Sequence, residues 1–253
     1  MMYRPILALA LALWAICPAA AQITHVVPPD RASTPGTSTF LGQLANAQRT
    51  YQWLIDSGEL TALVGTSINS ITYRLASAAS ANWPTAAVTF TNYDIRLSES
   101  VDPSQRSLTF AANVIGTQTL VRSGPLTIPV GAFSASGSPK PFGPPITFDT
   151  PYLYTGGDLL IELRHTGFSG TSSSVDALST GTAGYGTRFS AAWTGSYTGT
   201  SGSQGNFAII QLTANGGAAV PEPTTLAAMG FGAVSGLAYL YRRRRVRISP
   251  AKR

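Results

Sequence analysis

Residues able to carry acid–base or nucleophilic chemistry are few in this chain. There are two histidines, His25 and His165, and one cysteine, Cys17. A catalytic histidine needs a nucleophile to activate and a partner to orient it, and no serine stands in a nucleophile-elbow context. His165 follows Arg164 at the end of an apolar run and reads as a strand-end surface residue; His25 reads as part of a disordered N-terminal segment. A pair of carboxylates for glycoside hydrolysis would come from Asp94, Glu99, Asp102, Asp149, Asp158, Glu162 or Asp176. Glu162 alternates outward within its run, where a solvated salt bridge is the expectation. Calcium takes loop carboxylates and carbonyls, so Asp149, Asp158 and Asp176 are its candidates, although they follow no EF-hand spacing. Flat aromatic faces suited to glycans would be Trp83, Tyr185, Trp193 and Tyr197, although a β-sandwich needs aromatics for its core and the core reading is the favoured one. The Walker, HExxH and dinucleotide patterns are absent. The expectation is a non-enzyme with no catalytic residue and no metal, calcium being the one cofactor kept open.

The elements that would position these residues alternate in hydrophobicity with period two, the mark of half-buried strands. Tyr51, Trp53 and Ile55 share one face; so do Ile71, Tyr73 and Leu75, and Tyr93, Ile95 and Leu97 after Phe90. Leu108 with Phe110, Leu126 with Ile128 and Val130, and Ile146 with Phe148 predict short strands. Asp158 to Arg164 alternates most regularly, with Leu159, Ile161 and Leu163 opposite Leu160, Glu162 and Arg164, and Phe207 to Leu212 closes the series. Only Phe40 to Gln48, where Leu41 and Leu44 are spaced by three, has room for a helix, and little helix is expected elsewhere. Turn chemistry at Ser123-Gly124-Pro125, Gly143-Pro144-Pro145 and Thr155-Gly156-Gly157-Asp158 separates the runs. Between Gly167 and Gly205, stretches rich in Gly, Ser and Thr predict long exposed loops. The fold class expected is all-β, an antiparallel β-sandwich or jelly roll over residues 22–213, with a linker at 214–219.

Both ends of the chain differ from this body. Met1 to Ala21 has Arg4, an apolar stretch from Ile6 to Ile16 and the small residues Ala19-Ala20-Ala21, the pattern of a cleaved signal peptide with its exit before Gln22. Cys17 leaves with that segment; Ile16 in front of it argues against lipidation. At the other end, Pro221 and Pro223 bracket Glu222 and forbid regular structure. The eighteen residues from Thr224 to Tyr241 would extend roughly 27 Å as a helix, enough to cross a bilayer core. Arg242, Arg243, Arg244 and Arg245 then act as a basic stop-transfer signal and hold the residues after the span on the cytoplasmic side.

Val220-Pro221-Glu222-Pro223, the apolar span and the arginine cluster together resemble the PEP-CTERM sorting signal of bacteria. That resemblance implies recognition by an exosortase-type membrane protease and transient residence in the inner membrane. Arg49-Thr50-Tyr51-Gln52, Ile71-Thr72-Tyr73-Arg74, Trp83-Pro84 and Phe148-Asp149-Thr150-Pro151-Tyr152 resemble, more loosely, segments of planctomycete-type envelope proteins, which implies a shared β-rich domain and no particular chemistry.

Charge divides in the same way. The chain carries a formal +6, but residues 22–219 hold nine Lys/Arg against ten Asp/Glu, so the body is near −1 and the excess lies in the tail. A basic total of this kind is no argument for nucleic-acid binding. The expectation is an exported envelope or extracellular-matrix protein with a structural or adhesive role, associated with exopolysaccharide; the alternative is a cell-surface carbohydrate-binding module, and a secreted hydrolase ranks last.

Overall fold

A computed structural model describes residues 22–216. The expected signal peptide at 1–21, the sorting motif at 220–223, the span at 224–241 and the arginines at 242–245 lie outside the described residues. Among the described residues no helix is long and apolar enough to cross a membrane.

The fold is mostly β, built from antiparallel sheets. The strands are β1 (Gln22–Val27), β2 (Ser38–Phe40), β3 (Arg49–Ile55), β4 (Thr66–Tyr73), β5 (Val88–Phe90), β6 (Tyr93–Ser100), β7 (Val114–Arg122), β8 (Leu126–Ile128), β9 (Ile146–Tyr154), β10 (Leu159–His165), β11 (Val175–Leu178), β12 (Phe189–Thr194), β13 (Ser203–Gln204), β14 (Phe207–Ala208) and β15 (Ile210–Asn215). One sheet has the order β13-β12-β3-β10-β6-β7 and the other β1-β15-β4-β9; two small sheets, β14-β11-β2 and β5-β8, complete them. Both large sheets turn an apolar face to one shared core, as in a β-sandwich. Trp53 of β3 stacks on Tyr73 of β4, with ring centroids 6.1 Å apart and planes within 3°. Its indole N–H donates to the Ala208 carbonyl at 2.9 Å, which satisfies the one polar atom this large ring brings inside.

Alternation in β10 sets the middle of the larger sheet. Leu159, Ile161 and Leu163 pair laterally with Ile55, Trp53 and Tyr51 on one side and with Glu99, Leu97 and Ile95 on the other. The opposite face of the same strand carries Leu160, Glu162 and Arg164.

Elsewhere the chain departs from its pattern. Phe40 to Gln48 forms no helix: after β2 it runs as an irregular segment whose backbone carbonyls serve the core, the Gly42 carbonyl accepting from His165 and the Gln43 carbonyl lying 3.2 Å from the Tyr93 hydroxyl. Leu108 is exposed and Phe110–Asn113 forms a 3₁₀ turn instead of a strand. β15 continues to Asn215 with Ala214 fully buried, two residues past the boundary expected at 213. Gly167 to Gly205 is not a set of exposed loops; it contains β11, whose four residues are all buried, and β12. His25 is not disordered, since it lies in β1 with Nε2 2.6 Å from the Glu59 carbonyl.

Gln43 is fully buried, and neither its amide oxygen nor its nitrogen has a hydrogen-bond partner. An unsatisfied buried amide costs about 1–3 kcal/mol. Gln43→Met, which keeps the length and removes the polar atoms, is therefore expected to stabilise the domain by about 1–2 kcal/mol in urea unfolding.

Candidate functional site

The outer face of the larger sheet carries a connected polar array. Glu162 sits there between Gln52 of β3 and Arg96 of β6 in register. It is only 3% exposed, so the solvated surface pair expected from alternation is not what the structure contains. Two covering segments account for the burial. The 107–113 stretch crosses above β3, and the 195–202 loop between β12 and β13 folds back beside it. They are joined by backbone bonds from Phe110 N–H to the Thr200 carbonyl (2.9 Å) and from Gly202 N–H to the Leu108 carbonyl (3.0 Å).

Under this cover the polar groups form a connected network. Arg164 Nε donates to Glu162 Oε1 at 2.7 Å, and Gln52 Nε2 donates to Oε2 at 2.8 Å. Arg96 Nη1 lies 3.9 Å from the same carboxylate. Asn113 Nδ2 donates to Gln52 Oε1 at 2.7 Å and so fixes the amide that holds Glu162. One step along the sheet, Asp94 pairs in register with Arg164. It accepts from Ser123 Oγ (2.9 Å), from Gly124 N–H (3.0 Å) and from the Tyr197 hydroxyl. That bond to a carboxylate raises the Tyr197 phenol above its ordinary value, with burial adding to the effect.

Beside this network lies a groove of about 360 Å³, lined by Phe110, Ala111, Val114, Gly116, Gln118, Glu162, Arg164 and Thr200. Its floor is polar and held by the network; one wall is the outward row of β7, and the rim is Thr200 on the 195–202 loop. Sequence reasoning singled out Glu162 but missed Gln118, Phe110 and Thr200. Alternation of Val114, Gly116 and Gln118 is a weak signal in a strand with little apolar contrast.

Other expected site residues are dispersed. Asp176 is buried in a salt bridge with Arg74 at 2.8 Å, Asp149 is exposed and accepts from Ser123 N–H at 3.0 Å, and Glu99 is exposed. Of the calcium candidates only Asp158 has acidic company: Asp56 and Asp102 stand within 4.8 Å of it, oxygen to oxygen. These are hard oxygen donors of the type calcium prefers. Each also has a local task, Asp56 accepting from Gly58 N–H, Asp102 from Ser104 N–H and Asp158 from Ser57 N–H. The Asp158 carboxyl is held above its usual value by burial first and by its two acidic neighbours second.

The four aromatics do not assemble into a platform. Trp83 is buried against Phe133 and Phe168, Tyr185 packs edge-on to Phe189, Trp193 packs against Phe40 with Arg49 over its ring, and Tyr197 is bound to Asp94. His165 is fully buried, not a surface residue. Gly167 N–H donates to its Nδ1 at 3.1 Å, so Nε2 carries the proton given to the Gly42 carbonyl at 2.7 Å. That turn requires Gly167, which has φ of +76° and would bring a Cβ into the Asn46 carbonyl.

These features define an antiparallel β-sheet domain with a groove built over a buried carboxylate network. Beyond the described residues, the family profile of the PEP-CTERM protein-sorting motif matches residues 219–245. The chain thus carries a PEP-CTERM sorting signal, the mark of an exported exosortase substrate processed at the membrane. No curated protein and no solved structure matches the chain.

Proposed function

We propose that the protein is a non-enzymatic component of the cell envelope or extracellular matrix, with a structural or adhesive role toward exopolysaccharide. The observation that carries this reading is the PEP-CTERM signal at residues 219–245 placed behind a β-domain. Several features support it. The span at 224–241 and Arg242 to Arg245 would hold the chain in the inner membrane until exosortase acts. The carboxylate in the groove is tied to Arg164 and Gln52, which fixes it as a hydrogen-bond acceptor for a ligand. The looser planctomycete-type likeness agrees with a β-rich surface domain.

Fractionation of cells tests the reading. The domain is expected in the envelope or matrix fraction and is expected to be retained in the inner membrane when Pro221, Glu222 and Pro223 are replaced together by alanine. Accumulation of the unaltered protein in the cytoplasm would overturn the proposal.

A further inference from the structure

We propose that the groove over the outer face of the larger sheet is a binding subsite for a neutral saccharide; this inference rests on the adhesive reading above and names the ligand class for it. The groove's volume of about 360 Å³ falls at the lower end of ligand-sized pockets, roughly 300–1,000 Å³. Its lining joins apolar surface from Ala111 and Val114 to polar groups on Gln118, Glu162, Arg164 and Thr200, over the buried Phe110. A sugar presents the same combination, with C–H faces on the ring and hydroxyls that both donate and accept.

Charge selects the neutral class. Arg96 and Arg164 stand in register with Glu162 and Asp94, so the four charges of this patch cancel. Arg164 Nε is already committed to Glu162. Arg96 Nη1 makes no hydrogen bond, but it lies 3.9 Å from the Glu162 carboxylate, so an anion would meet cations that already face carboxylates, and a cation would meet carboxylates that already face arginines. A hydroxyl needs no free charge: each Glu162 oxygen accepts one protein hydrogen bond from Arg164 or Gln52 and keeps acceptor capacity, since a carboxylate has about four lone-pair sites. The Asn113–Gln52–Glu162 chain fixes that acceptor before any ligand arrives, which lowers the ordering cost of binding.

Gln118 supplies an independent pointer. Its Nε2 is shielded from solvent yet has no hydrogen-bond partner in the protein, and its side chain lines the groove. A buried donor left unpaired is costly, and a sugar hydroxyl seated on the network would satisfy it.

The experiment is affinity electrophoresis of the full chain, kept in a detergent without a sugar headgroup, through gels containing a neutral glucan, mannan or galactan, with polygalacturonate as the anionic control. Retardation by a neutral glycan is expected. Gln118→Leu is expected to weaken it about fivefold, the value of one hydrogen bond, and Thr200→Trp, on the exposed rim, to abolish it by filling the groove. Circular dichroism of both variants checks that the sheet is intact. Retardation by neutral glycans that neither variant alters would overturn the groove assignment while leaving the adhesive reading standing. Retardation by polygalacturonate alone would overturn the neutral class. No retardation by any glycan would overturn the inference, and matrix fractionation would then decide the adhesive reading separately.

Discussion

Asp176→Ala is expected to lower the stability of the domain by about 3–5 kcal/mol, the loss typical when one member of a buried ion pair is removed. Arg74 and Asp176 are each 1% exposed, and Arg74 Nε meets Asp176 Oδ2 at 2.8 Å. Burial lowers the Arg74 pKa and the neighbouring carboxylate offsets part of that shift, so Asp176 compensates a guanidinium that stays charged. The same carboxylate accepts from the Gly36 N–H with both oxygens, at 3.0 and 2.9 Å. Alanine therefore strands a buried cation and an amide together. A small domain has about 5–15 kcal/mol in total, so the variant should approach the unfolding threshold. Urea titration reads the effect. Converting both members to apolar residues, Arg74→Met with Asp176→Leu, should cost much less than the single change because no charge is left unpaired; a double variant as unstable as the single one would contradict the account. Asp176 is thereby assigned a structural task in place of the calcium ligation its position in the sequence allowed.

Acid is expected to remove about 3 kcal/mol between pH 6.5 and pH 4 through His165 alone. Burial pushes this imidazole down from 6.5 to about 4, with the Gly42 carbonyl opposing the shift and Arg49 adding to it. Its ring is stacked on Tyr93 at 5.6 Å and meets Phe90 edge-on at 5.0 Å, surroundings that accept a neutral ring and penalise a charged one. The unfolded chain binds a proton near pH 6.5, whereas the folded chain does so only near 4. Stability is therefore complete above 6.5, falls as the pH drops through that window, and stops falling from this source below 4. Denaturation curves at pH 7, 5.5 and 4 measure it. His165→Gln is expected to start less stable at pH 7 and to show a flatter profile across the window; an unchanged slope would place the proton elsewhere.

The two residues also mark the limit of what the sequence discloses. Strands β3, β4, β6 and β10 were legible because their inward residues, from Tyr51 to Leu163, alternate with outward polar ones. β11 was not, because Val175 to Leu178 is buried on both faces and alternation disappears when neither side meets water. Its Asp176 then looks like a loop carboxylate. Similarly, β12 and the 195–202 loop lie in a stretch whose Gly, Ser and Thr suggest exposure. Those small residues instead permit close approach: a Cβ on Gly202 would collide with the Trp193 carbonyl. The groove was half legible. Period two placed Glu162 and Arg164 on the outward face correctly, but no local pattern announces that residues 107–113 return to cover them, since that contact joins positions far apart in the chain. The sorting motif, matched over residues 219–245, needed no tertiary contact to be legible, its elements being contiguous.

Export and processing form the center of the account, and the mass of the mature protein tests them most directly. Mass spectrometry of the form isolated from the envelope should give a chain that ends near Pro221 to Pro223 and lacks the seven basic residues from Arg242 to Arg253. A mass that still includes Arg253 would contradict it and leave the tail a simple anchor.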